Sequence, residues 1–261
     1  MTQATIRPRP MPQVRPITYD DLGEAFRAGV SDFKRAPRFG LFFGGVYFLG
    51  GWVMWALLNL AHAPWLMLPF ALAFPLIGPF VAVGLYDVSR RLQAGQSLDW
   101  QSVLGVVFEQ RKRELGWMAF VTLFICFVWF YQVRTIMVLT MQNMSFSSFE
   151  QFLALVFTTT EGMTFLAVGT LVGGFLALVL FSVTVVAIPL LLERDRDFIT
   201  AIITSVKAVT TSPAPMIGWG ITVTALMMVS ILAGFLGLLV TLPVLGHATW
   251  HLYKRAVAPE T

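Results

Sequence analysis

AFPLIGPFVAVGLYDVSRR, residues Ala73–Arg91, is the stretch that decides the fold. It is an apolar run with two prolines and two glycines, and it ends in Tyr86, Asp87 and a pair of arginines. A second stretch, LPVLGHATWHLYKR (Leu242–Arg255), repeats this order of proline, glycine, tyrosine and two basic residues. Both are typical of a transmembrane helix that ends at the positively charged face of a membrane.

The composition also indicates a membrane protein. Hydrophobic residues make up 57% of the 261-residue chain and charged residues 12%, and the mean hydropathy is +0.74. Soluble proteins carry roughly 25% charged residues. The formal net charge of +4 does not indicate nucleic-acid binding, because the basic residues flank apolar runs. The only cysteine, Cys126, lies inside such a run, so no disulfide framework is predicted.

Apolar runs of the roughly 20 residues that a bilayer requires predict six spans. They lie near residues 39–60, 65–86, 115–141 and 163–192, and the long run 216–257 is divided into two near Ala233–Gly237. Because backbone groups in hydrocarbon must bond within their own segment, every span is predicted to be a helix. We call the second, fourth and sixth spans the even-numbered spans.

Each pair of spans follows a predicted amphipathic helix. The first has a capping-box pattern at Thr18–Asp21 and ends at Pro37. The second opens at Gly95 and Ser97 and closes on residues 111–113, and the third is capped by Asp195 or Asp197. The predicted fold is therefore all-α: six transmembrane helices as three hairpins, each preceded by a cytoplasmic interfacial helix. A further short helix is predicted at residues 145–157, on the opposite membrane surface.

Charge predicts the orientation. Every lysine and arginine except Arg134 lies before span one, between spans two and three, between spans four and five, or at the end of span six. The opposite side carries Glu150 and Glu161. The positive-inside rule then places both termini in the cytoplasm. Residues 1–17 are predicted to be a disordered tail, 18–257 a single transmembrane domain and 258–261 a short tail.

Small residues and prolines are expected to shape the bundle. Gly169 and Gly173 predict a closely packed helix face in span four. The even-numbered spans carry interior prolines, which remove a hydrogen bond and bend a helix; these are Pro75, Pro79, Pro189 and Pro243. They either shape packing alone or open a shallow vestibule toward the cytoplasm.

His247 and His251 are the candidate metal ligands, since residues four apart share one helix face. Further ligands would be Asp87 and Glu193, because His62 is predicted on the opposite side. The alternative is that the pair belongs to a belt of interfacial side chains beside the final basic residues. No cofactor is predicted.

Two charged positions have structural and functional interpretations. Asp87 is a carboxylate at a helix end, and an ion pair with Arg90 or Arg91 is the favoured interpretation. Arg134 is expected to extend to the outer interface or to pair with Glu161. No nucleotide motif and no Ser–His–Asp set in one compartment is evident, so an enzyme is not predicted.

Three segments carry a family resemblance: FPLIGPFVAVGLYDVSRRLQAG, IPLLLERD and LPVLGHATWHLYKR. Through them, residues 20–257 resemble an uncharacterised family of bacterial six-helix integral membrane proteins, a domain of unknown function. Automatic naming sometimes calls such proteins cytochrome c oxidase subunit I-like. That subunit has many more helices and histidine ligands than this chain, so the resemblance implies a fold and a location but no oxidase chemistry.

Three functions remain open. The first is a non-enzymatic accessory or scaffold component of a membrane complex, with the lipid bilayer and membrane proteins as partners. The second is a small-solute transporter or channel built on the bent even-numbered spans. The third is a haem- or metal-handling protein that uses His247 and His251.

Overall fold

The computed structural model describes residues 10–60, 67–111, 114–141 and 148–260. Within these ranges the prediction of an all-α fold is confirmed, and the one β-type feature is an isolated bridge between Val14 and Val257. The described helices are α1 (Tyr19–Arg35), α2 (Pro37–Asn59), α3 (Met67–Gln93), α4 (Trp100–Arg111), α5 (Leu115–Met141), α6 (Phe149–Thr158), α7 (Thr160–Thr184), α8 (Ala187–Glu193), α9 (Phe198–Thr211), α10 (Pro213–Leu232) and α11 (Leu238–Ala256).

Four helical segments of the described chain are long and apolar enough to cross a membrane. They are Pro37–Leu57, Leu115–Met141, Thr160–Glu193 and Pro213–Leu232. Most residues of these segments are not buried inside the protein, as expected of helices that face hydrocarbon.

The starts of α1, α4 and α9, the three helices predicted to be amphipathic, are set by local capping. Thr18 and Asp21 form the predicted capping box of α1, and Asp197 caps α9 by accepting the Thr200 amide. The predicted start of α4 was wrong. Asp99 accepts the amide of Ser102 there, so the helix begins at Trp100 rather than at Gly95 and Ser97.

The fourth predicted span is broken into α7 and α8. Pro189 has no N–H to donate to the carbonyl four residues earlier, that of Val185, and the chain turns at Val185 and Val186. At this turn the Val186 amide donates to the buried Ser205 hydroxyl of α9 at 3.1 Å. A proline bend predicted from the sequence is thus a break, and a side chain of the neighbouring helix bonds to a backbone amide at the break.

The long apolar run 216–257 divides where predicted. Gly234 and Phe235 have φ values of 69° and 66° in the turn between α10 and α11, and this left-handed pair reverses the chain. Ser230 and Thr241 hydroxyls, 2.6 Å apart, join the two helices beside the turn.

Helix α1 packs along α11. Its buried stripe is Ala25, Gly29 and Asp32. A Cβ on Gly29 would lie 2.6 Å from the backbone nitrogen of Ala248, so only glycine permits this approach. The close packing predicted at Gly169 was wrong, because open space surrounds that residue.

Described residues before α1 bond to other parts of the chain, although the sequence placed residues 1–17 in a disordered tail. The amide of Arg15 donates to Ala256, and the amide of Ala258 donates to Gln13, at 2.8 and 2.9 Å. Ile17 is buried, and its amide donates to Ser212 at the start of α10. The segment that precedes α1 is therefore hydrogen bonded to the end of α11 and to the residues that follow it.

Candidate functional site

The main cluster of buried polar side chains lies where α1, α3 and α11 meet. It comprises Asp32 of α1, Ser89 and Gln93 of α3, and His247, Trp250 and His251 of α11, and we call it the Asp32 network. Asp32, Ser89, His247 and Trp250 are buried. Buried polar groups are costly unless they bond to one another, so this network holds the three helices in one arrangement.

The hydrogen bonds fix the tautomer of His251. The Trp250 indole N–H donates to Gln93 Oε1 at 2.9 Å, so the Gln93 amide nitrogen faces His251 Nδ1, 3.0 Å away. An amide NH₂ only donates, and Nδ1 must therefore accept. The ring proton then sits on Nε2, which donates to Asp32 Oδ2 at 2.7 Å.

His247 bonds through one ring nitrogen, because its Nδ1 lies 2.8 Å from the Ser89 hydroxyl. Either atom can donate in this bond, depending on the tautomer of the ring. His247 Nε2 is left as a fully buried atom without a partner in the described part of the chain.

Asp32 accepts the hydrogen bond from His251. Its burial favours the neutral acid, but the bond from His251, together with the nearby Ser89 and His247 side chains, outweighs burial and holds the pKa of the Asp32 carboxyl below its usual value. The carboxylate is thus ionised, and the His251 N–H stabilises it.

The cluster corrects one statement of the sequence analysis. A serine, two histidines and an aspartate do meet, although no such set was predicted in one compartment. The order of bonds differs from a catalytic triad, because Asp32 bonds to His251, whereas the imidazole that touches Ser89 is that of His247. Ser89 is also fully buried, so the arrangement holds protons in place and offers no exposed nucleophile.

The structure places both candidate metal ligands, His247 and His251, in the Asp32 network. Both ring nitrogens of His251 and one of His247 bond to protein groups. The proposed additional ligands are engaged elsewhere: Asp87 with arginines, and Glu193 with Tyr253 and Lys254. Within the described ranges, no group of three or more His, Cys, Asp or Glu side chains is placed to hold a metal ion.

Asp87 forms the predicted ion pair, and it does so with both arginines. Its carboxylate accepts from the Arg90 guanidinium and, at 2.6 Å, from Arg91 Nε. Asp87 is fully buried, whereas Arg91 and Arg90 are partly exposed. The pairing lies within the last turns of α3, where it fixes the helix end next to Ser89 and Gln93.

Arg134 lies far from this cluster. It is exposed on α5 beside a shallow surface cavity lined also by Tyr131 and Leu139. Glu161 is exposed too, and the ion pair considered between them does not form among the described residues. The arrangement agrees with the simpler expectation that Arg134 extends to an interface.

A cavity of about 220 Å³ lies between α2, α3, α10 and α11. Gly78, next to Pro79, and Leu242, next to Pro243, line it, together with Tyr47. Pro79, Pro189 and Pro243 are themselves buried, while the side chain of Pro75 lies outside the described part of α3. Of the even-numbered spans, the second and sixth thus line this cavity, and α8 does not.

Sequence reasoning missed Asp32, Ser89 and Gln93. For Asp32 a signal was present, because Ala25, Gly29 and Asp32 follow one another at helical spacing and place a carboxylate on the stripe of smallest residues. Ser89 and Gln93 are four apart, as are His247 and His251, so each serine or glutamine faces one histidine. That match is visible only once α3 and α11 are known to be neighbours.

Comparisons with known proteins agree with a membrane location. Residues 67–193 match the model of the family described as "Predicted integral membrane protein (DUF2189)", whose function is unknown. The match confirms the resemblance to an uncharacterised family of integral membrane proteins, over a shorter range than residues 20–257. No curated protein and no solved structure matches the chain.

Proposed function

We propose that this integral membrane protein crosses the bilayer six times and serves as a non-enzymatic accessory or scaffold component of a membrane complex. The observation that carries the proposal is the Asp32 network, since its buried polar groups bond to one another rather than to an open site. The network ties a helix that precedes the first span to the ends of two others. Hydrogen bonds that hold three helices in one arrangement are expected in a protein with a structural role.

Contacts at one end of the bundle support six crossings. Asp32, just before α2, bonds to His251 near the end of α11, and Ser89, near the end of α3, bonds to His247 of α11. Glu114, just before α5, accepts the amide of Phe198, which follows α8. The three helix pairs α2–α3, α5–α7/α8 and α10–α11 therefore start and finish at this end, as three hairpins would.

Contacts at the other end agree. Phe235, in the turn between α10 and α11, packs so closely on Gly51 of α2 that an added Cβ would lie 2.5 Å from its ring. At about 1.5 Å per residue, α3 and α11 are each long enough to reach across most of a bilayer. Their terminal charges, such as Arg90 and Lys254, lie at the first end.

Charge supports the orientation within the membrane. The end of the bundle that holds the Asp32 network also holds the basic residues of α3 and α11, whereas Glu150 and Glu161 start the helices at the other end. The positive-inside rule then assigns the basic end and both termini to the cytoplasm. The proposed location is the bacterial cytoplasmic membrane, as the resemblance to a bacterial membrane-protein family implies.

Polar side chains within the helices favour a scaffold over an ion path. The hydroxyls of Thr122, Thr184 and Thr222 each donate to a carbonyl of their own helix, at 2.7 to 2.9 Å. Threonines bonded in this way present little polarity to a permeating solute. Helix α5, which carries Thr122, exposes a row of aromatic side chains on its surface, including Phe120, Phe124 and Phe127.

The accessory role is tested by site-specific photo-crosslinking in native membranes. A photoreactive phenylalanine analogue at Phe124 should give a discrete cross-linked protein of constant mass, identified by mass spectrometry. The same probe at Leu171, an exposed position on α7, is the matched control for lipid-facing surface. If Phe124 gives no cross-linked protein beyond that seen at Leu171, and mild-detergent purification recovers no reproducible partner, the accessory role is rejected.

Transport is the second candidate, and the 220 Å³ cavity between α2, α3, α10 and α11 is the observation that favours it. Gly246 of α11 lines the cavity, where an added Cβ would lie 2.6 Å from Leu85. If solutes pass there, Gly246→Ala should abolish uptake into reconstituted vesicles, while Gly45→Ala, at an open position of α2, should leave it unchanged.

A further inference from the structure

The loop between α8 and α9 carries two arginines with little exposure to solvent. The side chains of Arg194 and Arg196 are 8% and 9% exposed. Arg194 Nη2 donates to the carbonyl of Ala258 at 2.6 Å, which holds its guanidinium against the segment that follows α11. Guanidinium groups this far from water require oxyanion acceptors.

Glu260 supplies that acceptor. Its carboxylate oxygen lies 2.7 Å from Arg196 Nη2 and 3.6 Å from Arg194 Nη1, so the two guanidinium groups converge on one oxyanion. The Glu260 side chain is 53% exposed, in contrast to both arginines. The two guanidinium groups are thus enclosed by the protein, while the Glu260 carboxylate that pairs with them is open to solvent.

Space for a larger anion adjoins this pair. A cavity of about 330 Å³ is lined by residues 10–13, Arg194, Arg196 and residues 258–260. Its walls are held together by the hydrogen bond between Gln13 and Ala258 described above. A carboxylate with two oxygens therefore occupies the mouth of a cavity that would admit a tetrahedral group.

We propose that Arg194 and Arg196 form a binding site for a phosphate group, and that the Glu260 carboxylate occupies this site until phosphate displaces it. Phosphate offers more acceptor oxygens than a carboxylate and suits the fork geometry of arginine. The site is independent of the Asp32 network and of the proposed accessory role, because it rests on a different set of contacts.

Two sources carry such a group: the headgroup of an anionic phospholipid and soluble phosphate. The neighbouring helix favours the lipid, since Ile199 and Ile203 of α9 are 57% and 49% exposed. Exposed apolar side chains beside basic ones are typical of a helix at the membrane interface. Acyl chains bound along α9 would bring a phosphate to the level of Arg194.

Binding is measured by native mass spectrometry on the full chain in neutral detergent. The probes are dioctanoyl phosphatidylglycerol, inorganic phosphate, and dioctanoylglycerol, which has the same chains without phosphate. Phosphatidylglycerol should bind and dioctanoylglycerol should not. Glu260→Gln should tighten binding about tenfold, since it replaces a competing charged acceptor with a neutral one.

Arg196→Gln should abolish that binding, and Arg38→Gln is its matched control. Arg38 is an exposed arginine that contacts only the Phe39 ring among the described interactions, so it tests general attraction of lipid to positive charge. Binding of inorganic phosphate without lipid binding would assign the soluble source. Equal lipid affinity in the wild type, Glu260→Gln and Arg196→Gln proteins, without phosphate binding, would overturn the proposal. Glu260→Gln keeps the size of the side chain and so remains informative if Arg196→Gln misfolds.

Discussion

His251 Nε2 lies 2.7 Å from Asp32 Oδ2, although 219 residues separate the two along the chain. The contact joins α1, which precedes the first apolar helix, to the last turns of α11. Because Gln93 accepts from Trp250 and donates to His251, the imidazole meets Asp32 as a neutral donor and not as a cation. A buried carboxylate is thereby stabilised without a second buried charge.

The Asp32–His251 bond should contribute measurably to stability. Asp32→Ala and His251→Ala should each destabilise the protein, and the double variant should be less destabilised than the sum, with a coupling free energy of about 2 kcal/mol. The measurement is a double-mutant cycle from reversible unfolding in mixed detergent. Asp20→Ala, at an exposed position of the same helix, is the control and should change stability by less than about 1 kcal/mol. A coupling near zero would mean that the two groups do not interact in the membrane protein.

Stability should fall at acid pH, partly through Asp32. Its folded-state pKa is lowered, so protonation is harder in the folded than in the unfolded chain. The resulting stabilisation is present above the unfolded value of about 3.9 and is lost as the pH falls through the folded value. Asp32→Asn should therefore lose less in unfolding temperature than the wild type between about pH 6 and pH 3.

Part of the acid sensitivity should remain in Asp32→Asn. The pKa of Asp21 is lowered by its bonds to Thr18, and that of Asp197 by its bonds to Thr200. These caps act in the same direction and over the same range. An unfolding temperature that changes with pH equally in Asp32→Asn and the wild type would contradict the assigned role of Asp32.

Two glycines of α1 should respond oppositely to alanine. At Gly29 a Cβ would lie 2.6 to 2.8 Å from Ala248 and Val244 of α11, so Gly29→Ala should destabilise the protein by about 1–3 kcal/mol. At Gly23 nothing lies within 4 Å, and Gly23→Ala should stabilise the helix by about 1 kcal/mol. Hydrogen exchange of α1 amides measures the same contrast locally, with faster exchange expected only in Gly29→Ala. Equal effects of the two substitutions would show that α1 does not depend on its contact with α11.

The features that the sequence predicted correctly depend on neighbours in the chain. Thr18 and Asp21 are three residues apart, and Asp87 reaches Arg90 and Arg91 within one helical turn, so spacing alone specifies these bonds. The turn at Ala233–Gly237 followed from the length that one crossing can use.

The features that it missed depend on helices that are distant in sequence. Pro189 indicated a bend, but the helix breaks at Val186, whose amide bonds to Ser205 of α9. Hydrophobic periodicity carries no information about that neighbour. His247 and His251 suggested a metal pair because their partners, on α1 and α3, were unknown. Hydrogen bonds across the bundle arise from packing of faces, which a single sequence does not specify.

The six crossings predict which loops share a side of the membrane. In a protein whose only cysteine, Cys126, is replaced by alanine, single cysteines are placed at Gln96, Pro259, Ser148 and Leu236, which are exposed positions. In sealed vesicles of native orientation, a membrane-impermeant maleimide should label Ser148 and Leu236 at once, and Gln96 and Pro259 only after permeabilisation. Gln96 reports whether α3 crosses the membrane, and Pro259 reports whether α11 does. These two helices need the test because they are not among the four described segments that are long and apolar enough to cross. Labelling of Gln96 or Pro259 in sealed vesicles would remove the corresponding crossing and the hairpin that contains it.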